Sequence, residues 1–155
     1  MRELKISRHI AAPPAAVWEV MANRQEEWWC PAPWSVTMVA QERRPGGRCE
    51  MVMHGPDGEE MPQHGIYLEW IEGVRFTSTD AVRMDPGSGR LVPAEPFMIG
   101  CWEIAPDGDG TLYTASALHW SEKAMKSHAE MGFEPGWSAV ADQLAAICEG
   151  WTVKA

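Results

Sequence analysis

Near the C-terminus, Trp137, Val140, Leu144, Ile147 and Trp151 recur at intervals of three, four, three and four. That spacing sets all five on one stripe of an α-helix. A lone helix with a single apolar stripe has to bury it against another element. Between residues 35 and 120 the chain instead shows the short period of strands, punctuated by Pro45-Gly46-Gly47, Gly55-Pro56-Asp57-Gly58 and Pro106-Asp107-Gly108-Asp109-Gly110. Strands that meet at short Gly/Asp turns form an antiparallel meander. The expected fold is therefore α+β: a curved antiparallel sheet wrapped around a long C-terminal helix. At 155 residues it suits a single domain spanning 1–155.

The order of elements follows from local chemistry. Leu4, Ile6 and Ile10 alternate with polar residues, which predicts a strand over 2–10. Pro13-Pro14 ends it, and Pro14 fits the first turn of a helix over 14–23 carrying Val17, Val20 and Met21. A second short helical turn is expected over 25–29. Strands are expected over 35–42, 48–53, 63–71, 74–79, 97–104 and 111–120. Residues 81–95, rich in Pro and Gly, read as a loop or loose hairpin and a candidate lid. Ser121 is a good N-cap, with Glu122 and Lys126 paired at i,i+4, and Pro135 suits the first turn of a restarted helix.

Charge narrows the partners. Thirteen Lys and Arg face 22 Asp and Glu, a formal charge of −9. Neither a phosphate backbone nor an anionic membrane surface is expected to bind such a chain. No apolar run approaches the roughly 20 residues that span a bilayer. Residues 1–9 alternate charged and apolar side chains and lack the apolar core of an export signal. Cys30, Cys49, Cys101 and Cys148 form no C-x-x-C pair and suit free thiols in a reducing cytoplasm.

Nine Trp and ten Met are many for this length, and they suit either a filled core or a pocket for an apolar molecule. Eight segments also run in order along nearly the whole chain. They are Ile10-Ala11-Ala12-Pro13-Pro14-Ala15-Ala16-Val17-Trp18, Trp28-Trp29-Cys30-Pro31, Arg44-Pro45-Gly46-Gly47-Arg48 and Met53-His54-Gly55-Pro56-Asp57-Gly58, followed by Gly65-Ile66-Tyr67-Leu68-Glu69, Arg75-Phe76-Thr77, Asp109-Gly110-Thr111 and Gly136-Trp137-Ser138-Ala139-Val140-Ala141-Asp142-Gln143-Leu144. In these the chain resembles the Hsp90-ATPase-activator-homologue group of the START/Bet v 1-like superfamily. The resemblance implies a helix-grip fold with a cavity between sheet and helix and two short helices after the first strand. It does not fix a function, because function lies in the cavity lining. Many members carry a Pro-rich turn where this chain has Trp70-Ile71-Glu72-Gly73, and residues 81–95 match no family motif.

Strand parity then predicts a lining. Tyr113, Ala115, Ala117 and His119 share one face, as do Met98, Gly100, Trp102 and Ile104. Met51, Met53 and Phe76 are expected to point inward, with Glu50, Val52 and Arg75 outward. Parity over 64–71 is ambiguous, because Gly65 could mark a bulge. His64 is expected at the rim, and Tyr67 completes the set of Met51, Met53, His64, Tyr67, Phe76, Met98, Trp102, Tyr113 and His119 as candidate ligand-binding residues. Trp137, Leu144 and Ile147 are assigned to helix packing.

His119 is the candidate catalytic group, since an imidazole titrates near neutral pH; Glu69 and Tyr113 are its candidate partners. No compact His/Cys spacing indicates a metal, no G-x-S-x-G elbow is present, and no cofactor is implied. Three readings stay open. The first is a cytoplasmic carrier, sensor or sequestration protein for a small hydrophobic or aromatic molecule. The second is a cyclase- or dehydratase-type enzyme using His119 as general base. The third is a protein-interaction module, including a chaperone-linked one, for which exposed Trp18, Trp29 or Trp151 would speak; the same exposure would suit a homodimer interface.

Overall fold

The computed structural model describes residues 2–154, and their side chains as far as Gly150. The order is β1 (Glu3–Ile10), α1 (Pro14–Asn23), a 3-10 turn (Gln25–Glu27), β2 (Ser35–Gln41), β3 (Cys49–His54), β4 (Glu60–Gln63), β5 (Ile66–Ile71), β6 (Arg75–Thr79), β7 (Val82–Met84), β8 (Leu91–Pro93), β9 (Ile99–Asp107), β10 (Gly110–Leu118), α2 (Glu122–Glu130) and α3 (Phe133–Lys154). Pro14 opens α1, where its missing N–H costs nothing. The Ser121 hydroxyl accepts from the Ala124 N–H and caps α2.

Five antiparallel strands form the main sheet in the order β1-β10-β9-β6-β5, and β2-β3-β4 form a second. The two join where β3 meets β5. There the Tyr67 N–H donates to the Gly47 carbonyl (2.8 Å), and the Cys49 N–H donates to that of Gly65 (3.0 Å). Gly65 allows this approach, because any Cβ there would clash with the Thr79 carbonyl.

Two expectations change, the strand over 63–71 and the buried stripe of the C-terminal helix, while the hairpin allowed for within 81–95 is present. The strand expected over 63–71 is two strands in different sheets, parted at His64-Gly65. Its bulge lies at Leu68, not Gly65, because Tyr67 pairs with Ser78 while Glu69 pairs with Thr77. The extra residue turns Tyr67 and Trp70 to the same inner side, although strict alternation separates them. Residues 82–93 form the small hairpin β7–β8. On α3, the fully buried face is Ala141, Leu144, Ala145 and Cys148. Trp137, Val140 and Ile147 lie on its flank, half-buried, and the side chain of Trp151 lies outside the described residues. Small side chains at 141, 145 and 148 let α3 pack closely against α1 and β1.

The sheet-to-helix space is filled at the α1 end by Val17, Val20, Met21, Trp28, Ile10 and Leu144. Outward polar residues pair on the surface. Arg75 holds Glu69 (3.0 Å) and Arg48 holds Glu50 (3.0 Å). Glu50 is nonetheless buried, because the Arg48 guanidinium covers both its oxygens; the same hydrogen bonds hold its carboxyl below the usual range.

Candidate functional site

At the opposite end the sheet and α3 diverge and enclose a cavity of about 350 Å³. The volume lies within the range of small-molecule sites. Met51 and Met53 of β3, His64, Met98, Trp102 of β9 and Tyr113 of β10 are on its wall. Trp29, Phe97, Asp80, His128, Trp137 and Val140 are there as well. Three of the nine residues expected in the lining are elsewhere. Tyr67 and Phe76 are fully buried in an aromatic cluster with Trp18 and Trp70. His119 is buried one layer behind the wall.

A stack of rings leads into the cavity. Trp70, Phe76 and Trp102 are Cα partners on β5, β6 and β9, so their side chains meet face to face. Successive centroids lie 5.0 and 5.4 Å apart, at 13° and 22°. Trp137 of α3 continues the stack on Trp102 at 5.7 Å and 12°. Gly100 carries the Trp102 ring, and a Cβ there would collide with it. Trp29 packs obliquely on Trp102 at 4.5 Å. The segment bearing Trp29 is stapled to α3 by Gln143, which donates to the carbonyls of Trp28 (3.1 Å) and Cys30 (2.8 Å) and accepts from the Ala32 N–H (2.8 Å).

The polar wall comprises Gln63, His64, Ser78, Thr79, Asp80 and His128. One Asp80 oxygen accepts from the N–H groups of Phe97 (2.8 Å) and Met98 (3.3 Å). This fixes the base of the β7–β8 hairpin, yet none of residues 81–95 lines the cavity. His128 of α2 is hydrogen-bonded through Nδ1 to Nε2 of His119 (2.9 Å), and Nδ1 of His119 faces the Arg2 carbonyl (3.3 Å). Burial, with the His119 imidazole as a smaller cause, pushes His128 down to about 4. At neutral pH it is an uncharged ring in the wall.

Neither expected catalytic partner of His119 is at hand. Glu69 is engaged by Arg75 and Thr77, and Tyr113 packs on Trp28. Burial raises the hydroxyl of Tyr113 far above its ordinary range. It also pushes the thiols of Cys30 and Cys148 up to about 11 and raises those of Cys49 and Cys101, so they are poor nucleophiles. No group of three or more His, Cys, Asp or Glu among the described residues could hold a metal.

Sequence reasoning passed over Trp29, Asp80, Phe97 and His128, and placed Trp137 in the packing stripe. For His128 a signal existed. Ala124, Met125 and His128 share a face of α2 at i,i+3/i+4 spacing, the face that turns inward. Trp18 is buried and Trp29 half-buried on the cavity, so neither supplies the exposed tryptophan expected of an interaction module.

A curved antiparallel sheet closed over a long C-terminal helix defines a START/Bet v 1-like protein. Residues 11–149 match the family described as Activator of Hsp90 ATPase homolog 1-like protein, and the chain belongs to that family. Among solved structures it is similar to a protein of Nitrosomonas europaea at 32% identity and a TM-score of 0.85, covering 97% of this chain and 96% of that one. A Mycobacterium smegmatis protein follows at 26% identity and 0.74, covering 94% and 89%. The AHSA1 protein of Silicibacter pomeroyi, at 18% identity and 0.67 over 93% and 95%, shares the fold. No curated protein matches the chain. Family and fold together support a ligand-binding or interaction module in general. No helix among the described residues is long and apolar enough to cross a membrane.

Proposed function

We propose that the protein binds a small hydrophobic or aromatic molecule in the cavity between the sheet and the C-terminal helix, as a carrier, sensor or sequestration protein of the cytoplasm. The observation that carries this reading is the cavity of about 350 Å³, whose wall includes three Trp, three Met, Phe97 and Tyr113. A core that merely needed filling would close over such a space, because empty apolar volume is destabilising. Met51, Met53, Met98, Trp102 and Tyr113 supply apolar contact, and His64 sits at the rim. Although no residue of 81–95 lines the cavity, the hairpin β7–β8 is tied at its base to the wall residues Asp80 and Phe97 and is the lid of this proposal: trimming it should raise the ligand off-rate, and an unchanged off-rate removes the lid.

Native mass spectrometry of freshly purified protein, followed by denaturing extraction, tests the reading. The expected result is a reproducible extra mass of roughly a few hundred daltons, the size such a pocket holds. A clean apo mass, together with no response of tryptophan fluorescence to a panel of aromatic and lipid-like compounds, would overturn it.

A further inference from the structure

We propose that Nε2 of His128 is the hydrogen-bond acceptor for the cavity's ligand, that His119 acts as a positioning residue behind it, and that the ligand is an uncharged aromatic molecule bearing a ring hydroxyl or ring N–H rather than a carboxylate. This rests on the ligand-binding reading above and deepens it.

The Arg2 carbonyl only accepts, so the His119 nitrogen facing it, Nδ1, carries the hydrogen. In the tautomer with its hydrogen on Nδ1, His119 offers Nε2 as an acceptor, and Nδ1 of His128 donates to it. That leaves Nε2 of His128 as a bare lone pair on a ring in the cavity wall. The chain of two imidazoles fixes which nitrogen is free, as a backbone carbonyl behind a histidine commonly does. Phe97, Phe133 and Trp137 pack around the His128 ring at centroid distances of 4.6, 5.2 and 6.0 Å and hold its plane.

No Lys or Arg is among the residues lining the cavity, whereas the Asp80 carboxylate is. A carboxylate ligand would enter without a Lys or Arg to meet it, and desolvating an unpaired anion is costly. The other polar wall residues are Gln63, His64, Ser78, Thr79 and His128, so an anion gains less there than a ligand that donates to His128. The wall carries the rings of Trp29, Phe97, Trp102 and Trp137, apolar surface that suits an aromatic molecule.

Isothermal titration of the full chain with 2-naphthol, naphthalene and 2-naphthoate tests this. 2-Naphthol should bind roughly tenfold more tightly than naphthalene, the worth of one hydrogen bond to a buried acceptor, and 2-naphthoate more weakly than either. In His128→Phe that preference should collapse to about onefold while naphthalene binding stays. Because His128→Phe strips His119 of its donor, the double variant His119→Phe/His128→Phe, which removes both partners, gives the same test without an unpaired nitrogen. His119→Phe alone should lower the preference for naphthol over naphthalene, which a purely structural role would leave unmoved. Equal binding of naphthol and naphthalene, tight binding of naphthoate, or a preference that survives in both His128 variants would overturn the inference while leaving a binding cavity in place. Binding of none of the three probes would remove the ligand-binding reading and this inference together.

Discussion

The four-ring stack Trp70–Phe76–Trp102–Trp137 has two ends in opposite surroundings. At the Trp70 end, Trp18 and Tyr67 meet the ring edge-on at 5.8 and 5.2 Å, and the Arg43 guanidinium lies 4.8 Å over its face. Glu72 accepts from the indole N–H groups of both Trp18 (2.8 Å) and Trp70 (2.9 Å), which holds its carboxyl below the usual range and ties α1 to the β5–β6 turn. At the Trp137 end the neighbouring rings are His128 and Phe133, and Trp137 borders the cavity. Residue type does not separate the two ends. What differs is the third element: α1 packs on the first, whereas the second is left bordering open volume. At the packed end the buried Tyr67 hydroxyl lies against the Cys49 thiol and the Gln41 side chain.

The sharpest way to break this comparison is to remove one ring from each end. Phe76 is 1% exposed, so Phe76→Ala should cost about 3–5 kcal/mol in urea denaturation. Trp137→Ala, which deletes a ring already bordering open volume, should cost about 1–2 kcal/mol, because less packing is lost. Equal costs would mean that the cavity end is packed after all. Next in size, Gln143→Leu should lose about 1–2 kcal/mol for its three backbone hydrogen bonds. It should also weaken binding of any cavity probe, since the Trp29 segment loses its staple.

Glu72→Gln acts on the packed end alone. Its carboxylate is partly exposed, so the loss should be about 1 kcal/mol, with probe binding unchanged. A change in probe affinity would show that the two ends are coupled through the stack. The last test is read against pH. His128 sits near 4 in the folded protein and near 6.5 when unfolded. As pH falls from 6.5 toward 4, the unfolded chain takes up a proton that the folded one refuses, so stability falls across that window. The lowered carboxyls of Glu50, Glu69 and Glu72 lose their contributions only at lower pH. Thermal melts from pH 7 to 4 should therefore decline less steeply for His128→Phe than for wild type. Equal slopes would mean that His128 is protonated in the fold.

Much of the fold is legible in the chain because each signal is local. Pro14 starts α1, Ser121 caps α2, and alternation places Trp102, Tyr113 and Met51 inside. The site is less legible. The parity of 64–71 is ambiguous in the sequence and is settled by the Leu68 bulge, since a bulge records how two strands fit rather than what either prefers. On α3, the i,i+3/i+4 stripe ran through Trp137 and Val140, but the helix rotates to bury Ala141, Ala145 and Cys148, because close approach to α1 favours small side chains.

The sequence by itself determined that a meander would close over one C-terminal helix, with aromatic and methionine side chains between them, because period, caps and turns act within a few residues. Only the tertiary structure decided where that space is filled and where it stays open, and that His128 rather than His119 faces the opening. Those outcomes depend on which distant elements share a neighbourhood: β10, α2 and the Arg2 carbonyl around the two imidazoles, and α1 at one end of a ring stack but not the other. No local preference encodes such meetings; they are fixed when the layers pack.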